Sequence, residues 1–142
     1  MDSNEFMLKT KKGKAIRQKI EKLQNEKQQQ AQTKQEEIKK LQTELLSPAL
    51  NDDTRVKKSE ELNKKQVALK RFLEDSRSEL ERAFQKEVIA MDKQIMPLLQ
   101  EMGKTKGFTL ILETQKSGVL YFDQAVDITD EVIKAFDARY SK

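Results

Sequence analysis

The sequence predicts a mainly α-helical protein with a small β part. The expected form is a long antiparallel helical hairpin on a small strand-plus-helix base that joins copies of the chain. Three observations predict it. Of 142 residues, 36% are apolar and 37% charged, against about 45–50% and about 25% in ordinary globular domains. The apolar residues still recur at steps of three and four along two long stretches, which gathers them on narrow seams. Between these stretches lies one short break, residues 47–54, built from Pro and residue types that cap helices.

The first helix is expected from near Thr10 or Gly13 to about Leu46. Its seam reads Ile16, Ile20, Leu23, then a polar middle of Lys27, Ala31 and Lys34, then Ile38, Leu41 and Leu45. Alone, a helix with that middle is marginal, so it needs a partner. Pro48 disfavours helix at Ser47, and Asn51, Asp52, Asp53 and Thr54 can start the next helix. This is the tip of a hairpin.

The second helix is expected from about Arg55 to about Met102. Its seam reads Leu62, Gln66, Leu69, Leu73, Ser76, Leu80, Phe84, Val88, Met91, Ile95, Leu98 and Met102. Pro97 predicts a kink near Gln94 to Met96. In an antiparallel pair the facing residue numbers sum to a nearly constant value. Ala31 then faces Leu69, Leu23 faces Leu80, Ile20 faces Phe84 and Ile16 faces Val88, with sums drifting from 100 to 104. A helix of some 34 residues extends about 50 Å at 1.5 Å per residue. With no third layer to cover it, its outer faces are wet, which accounts for the charge content.

Residues 13–102 thus form the hairpin, with its tip near 47–54. Residues 103–142 form the base, together with the helix ends near 1–20 and 88–102. Gly103 and Gly107 bracket a turn, and strands are expected at 108–113 and 119–122 around the turn at 115–118. Both strands are apolar on both faces, through Phe108, Leu110, Ile111, Leu112, Val119, Leu120, Tyr121 and Phe122. A lone two-stranded ribbon is barely stable, so these residues are expected to be covered by the chain's own helices and by another copy. The last helix is expected to follow Asp127 and Ile128, with Thr129 as N-cap. Asp130 and Glu131 then lie in its first turn, with Ile128 and Ile133 at staple spacing.

The chemistry open to the chain is narrow. It has no His and no Cys, so the commonest zinc ligands, the thiol nucleophile and the usual neutral-pH proton shuttle are absent. It carries no Walker loop, GxSxG elbow or GxGxxG turn. No catalytic residue, metal or cofactor is expected. Phe6-Met7-Leu8 is too short for the apolar core of a signal peptide, and no stretch reaches membrane-spanning length. Residues 1–50 carry +4, residues 51–107 carry +2 and residues 108–142 carry −2. The mixed signs and the absence of interleaved aromatics argue against nucleic acid as a specific partner. The basic excess allows a peripheral contact with an anionic membrane surface.

Several segments are recognisable. Gly107 to Leu112, Gly118 to Tyr121 and Asp127-Ile128-Thr129-Asp130-Glu131-Val132-Ile133 resemble the C-terminal end of the Skp/OmpH family of periplasmic chaperones. Leu46-Ser47-Pro48 is similar to the family's hairpin tip, and Asp2, Leu8, Gly13 and Lys14 to the segment opening its first helix. The resemblance implies a homotrimer with a shared strand body and three helical arms around a cavity. It also implies a periplasmic holdase that keeps unfolded outer-membrane proteins from aggregating, without ATP. The chain has neither the short apolar strand that precedes the position of Asp2 in the family nor a signal peptide. A mature or trimmed form with a weakened trimer is therefore expected. Client contacts are expected at the tip, through Leu45, Leu46, Leu50, Val56, Lys57, Lys58, Lys64 and Lys65. The rival reading is a structural coiled-coil adaptor that docks one folded partner.

Overall fold

The computed structural model describes residues 1–140, which form four α-helices and one 3-10 turn. The helices are α1 (Ser3–Lys9), α2 (Lys11–Leu45), α3 (Asp52–Lys106) and α4 (Thr129–Tyr140), with the 3-10 turn at Gln124–Val126. The chain divides into two compact units. One is Ile20–Ala83; the other is Met1–Lys19 with the chain from Phe84 onward.

Helix α1 is an addition to the expected fold. The Asp2 carboxylate accepts from the backbone N–H groups of Asn4 (2.8 Å) and Glu5 (3.0 Å), which caps its start. Thr10 separates it from α2. The Thr10 backbone is extended, its carbonyl accepts the first α2 bond from Lys14 (3.0 Å), and its hydroxyl accepts from the Gly13 N–H (3.1 Å). The turn is so tight that a Cβ on Gly13 would run into the Met7 carbonyl, its carbon 2.8 Å away, and the Thr10 hydroxyl at 2.9 Å.

Helix α3 is longer than its expected span at both ends and runs on through Pro97. The turn expected at Gly103 to Gly107 is its last turn. Gly107 at φ +71° ends it, and the Phe108 N–H returns to the Gly103 carbonyl at 2.9 Å, the six-to-one bond of a helix closed by a left-handed residue.

The two expected strands are corrected. Among the described residues, neither 108–113 nor 119–122 is a strand. The turn between them forms, with Ser117 N–H on the Glu113 carbonyl (3.1 Å) and Gly118 at φ +70°, but the flanking segments do not pair. A strand exists only as half of a ladder, and among the described residues a ladder-like contact is made by Met1. Its amine donates to the Leu112 carbonyl (3.0 Å) and its carbonyl accepts from the Thr114 N–H (2.9 Å).

The start of α4 shifts by one residue. The Ile128 carbonyl accepts from the Val132 N–H at 2.9 Å, so Ile128 holds the cap position expected for Thr129. The Ile128–Ile133 spacing is consequently no longer that of a staple. Thr129 instead joins three segments: its N–H and hydroxyl donate to Asp127 (2.9 and 2.5 Å), while the hydroxyl oxygen accepts from the Asp2 N–H (2.8 Å). Beneath it, Phe6 meets Phe136 edge to face at 4.9 Å. Val132, Phe136, Met91, Ile95, Leu98 and Ile16 complete a buried core. Ion pairs from Lys106 to Glu131 (2.5 Å) and Arg139 to Glu101 (2.6 Å) fasten α4 to α3.

Candidate functional site

The unit Ile20–Ala83 is a two-helix hairpin. Its pairing is marked by ion pairs between Glu44 and Lys58 (2.5 Å), Glu37 and Lys65 (2.7 Å) and Lys27 and Glu79 (2.6 Å). The α2 seam is the one read from the sequence, with Ile38 and Leu41 buried and Leu23, Lys27, Ala31 and Lys34 half-buried. The α3 seam differs. Leu62, Lys65, Leu69, Phe72, Ser76 and Leu80 face inward, whereas the expected Gln66 and Leu73 are exposed, as is Phe84 in the other unit. Phe72 stands on the seam in place of Leu73, and two lysines cover its ring. The Lys34 and Lys27 ammonium groups lie 5.3 and 5.9 Å from its centroid, a stabilising cation–π arrangement. Such a seam is filled partly by the aliphatic stems of lysines. The Ser76 hydroxyl is buried in it without a hydrogen-bond partner among the described residues.

The tip holds the predicted contact residues in three states. Leu46 and Val56 are exposed, at 83% and 58%. Leu45 and Leu50 are half-buried and help close the turn. Lys57 and Lys64 are exposed, while Lys58 and Lys65 are tied to Glu44 and Glu37. The Lys58 ammonium holds the Glu44 carboxyl below its usual range, and Lys65 does the same to Glu37. These two lysines are structural pairs, with their charge already answered. Asn51 caps α3 through the Thr54 N–H (2.8 Å). Arg55 reaches back to the carbonyls of Leu45 (3.0 Å) and Ser47 (3.3 Å). Arg55 was not among the residues singled out from the sequence, though a cation close to a helix's N-terminus is an unfavourable placement that could have drawn attention to it.

The other unit carries an apolar cleft of about 480 Å³, lined by Leu110, Leu112, Val119, Phe122 and Val126 with Met1 at its edge. The residues expected as base core mostly face solvent: Leu110 is 70%, Leu120 101% and Tyr121 84% exposed. Phe108, Leu112 and Phe122 are also exposed, and Ile111 and Val119 are half-buried. The cleft's margin is set by the N-terminal knot. The Ser3 hydroxyl donates to Glu113 (2.8 Å), and Gln115 donates to Asp2 (3.0 Å). The Asp2 carboxyl is held down by the Glu5 N–H and Gln115, and that of Asp127 by the Thr129 hydroxyl. The Thr129 and Asp127 motif read from the sequence is thus a junction that fixes the chain start. Among the described residues no cluster of His, Cys or carboxylates could hold a metal ion, and no helix is long and apolar enough to cross a membrane.

A family model described as outer membrane protein (OmpH-like) matches residues 1–136. The chain belongs to the OmpH-like family. None of the curated proteins matches it. The OmpH-like family is one of periplasmic chaperones for outer-membrane proteins, and membership points to chaperoning and away from catalysis. The long helices and the hairpin agree with the helical arm that the resemblance implied.

Proposed function

We propose that the chain is an ATP-independent holdase that binds unfolded outer-membrane proteins and prevents their aggregation in the periplasm. The observation that carries this reading is the OmpH-like match along residues 1–136. Two features support it. The hairpin presents exposed apolar residues, Leu46 and Val56, among mixed charges, a surface suited to many weak contacts with an unfolded chain. The segments 108–112 and 119–122 expose Leu110, Leu120 and Tyr121 beside an apolar cleft. Exposed apolar side chains gathered in two neighbouring segments suit an association surface. Its occupant in this reading is a second and third copy of the chain, which together form a homotrimer. The test is aggregation of a urea-unfolded β-barrel outer-membrane protein on dilution, followed by light scattering. Suppression at near-stoichiometric ratios is expected. No protection and no binding at low salt, with capture of a single folded partner, would put the adaptor reading in its place.

A further inference from the structure

Helix α2 ends poorly by itself. The last carbonyls of any helix lack partners within it, and a cation or a left-handed glycine usually answers them. The last turn of α2 contains no basic residue. It is followed by Leu46, Ser47 and Pro48, of which Pro48 has no N–H to give. Two tightening bonds form, Leu46 N–H to the Thr43 carbonyl (3.2 Å) and Ser47 N–H to the Glu44 carbonyl (3.1 Å). The Leu45 and Ser47 carbonyls are answered from the other helix, both by the Arg55 guanidinium at 3.0 and 3.3 Å.

The position of Arg55 on its own helix makes this informative. With Asn51 as the cap of α3, Arg55 lies just past the first turn, its N–H bonded to the Asn51 carbonyl at 3.0 Å. Positive charge there opposes the helix dipole. Asp52 and Asp53 in the first turn offset that conflict. A residue ill-suited to its own helix but bonded twice across the tip acts for the tip. The atoms it holds flank the exposed apolar side chains: Leu46 lies between the two clamped carbonyls in sequence, and Val56 follows Arg55.

We infer that Arg55 is the positioning residue of the hairpin tip, clamping the Leu45 and Ser47 carbonyls so that Leu46 and Val56 are presented in a fixed arrangement to an unfolded client. This rests on the holdase reading and deepens it. The contact surface is pre-ordered, so a client does not have to order it on binding.

The experiment uses the full chain and three variants: Arg55→Ala, Arg55→Lys and Leu46→Ser. Amide exchange at Leu46 and Ser47 reads the clamp, and affinity for a urea-unfolded β-barrel outer-membrane protein reads the contact. Arg55→Ala is expected to speed exchange at both amides about tenfold, as fits loss of charge-assisted bonds, and to weaken client affinity several-fold with little change in Tm. Arg55→Lys, which keeps the charge but not the fork, should recover part of both. Unchanged exchange in Arg55→Ala overturns the clamp, and faster exchange with unchanged affinity overturns its positioning role. Leu46→Ser separates the two ideas. If it leaves affinity intact, Leu46 is no client contact and the proposal fails while the holdase reading stands; that reading fails instead if the unaltered chain binds no unfolded client. If it weakens binding while Arg55→Ala does not, only the clamp is wrong.

Discussion

Single residues set the connections of the N-terminal knot. Gly13 stands where the end of α1 passes over the start of α2, and no Cβ fits beside the Met7 carbonyl. Gly13→Ala should therefore cost about 2 kcal/mol as backbone and cap shift apart, read as a lowered Tm with an unchanged far-ultraviolet helix signal at low temperature. Asp2 and Asp127 are both held below the ordinary carboxylate range, Asp2 by the Glu5 N–H and Asp127 by the Thr129 hydroxyl. A depressed folded pKa means the fold favours the charged form. That stability is fully present above the unfolded value of about 4 and is lost as pH falls through the folded values. With no His in the chain, unfolding midpoints should stay level from about pH 5 to 7 and drop below about pH 4. A steep change between pH 5 and 7 would contradict this account. Asp127→Asn should shrink the acid-side drop.

Secondary elements differ in how they are held. The hairpin Ile20–Ala83 has a thin seam in which Ile38 and Leu41 are the buried aliphatic residues of α2. Ile38→Ala should cost about 2–3 kcal/mol, whereas Gln66→Ala, on the solvent face, should leave Tm within error; both are read by chemical denaturation. Helix α4 depends on Phe136, fully buried against Phe6. Phe136→Ala should cost about 3–5 kcal/mol and raise proteolysis of the chain after Lys106. The sequence showed the α2 seam in full but misread part of α3, placing Gln66, Leu73 and Phe84 on the seam where Lys65 and Phe72 face inward and those three are exposed, while Leu62, Leu69, Ser76 and Leu80 lie as read. Hydropathy alone could not show that lysine stems would shelter Phe72.

Across the whole molecule, the exposed apolar segments 108–112 and 119–122 have one consequence that can be measured. Leu120 is 101% exposed, so replacing it removes no contact within the chain. Leu120→Asp should leave the Tm of the isolated chain unchanged and lower the mass measured by light scattering from an oligomer toward a monomer. An unchanged mass would remove this segment from the association surface.

Periodicity, punctuation and composition determined the two long helices, the turn at 47–54, the final helix and the lack of residues for common catalytic chemistry. These follow from local rules: apolar spacing, the φ restraint of proline and the capping chemistry of Asn and Asp. Tertiary structure decided what depends on distant partners. Thr129 caps nothing but bonds Asp2 and Asp127, and Arg55 serves α2 from α3. Among the described residues the segments 108–112 and 119–122 do not pair with each other. A strand needs a neighbour's backbone, and a run of apolar and aromatic residues expresses only the readiness to accept one.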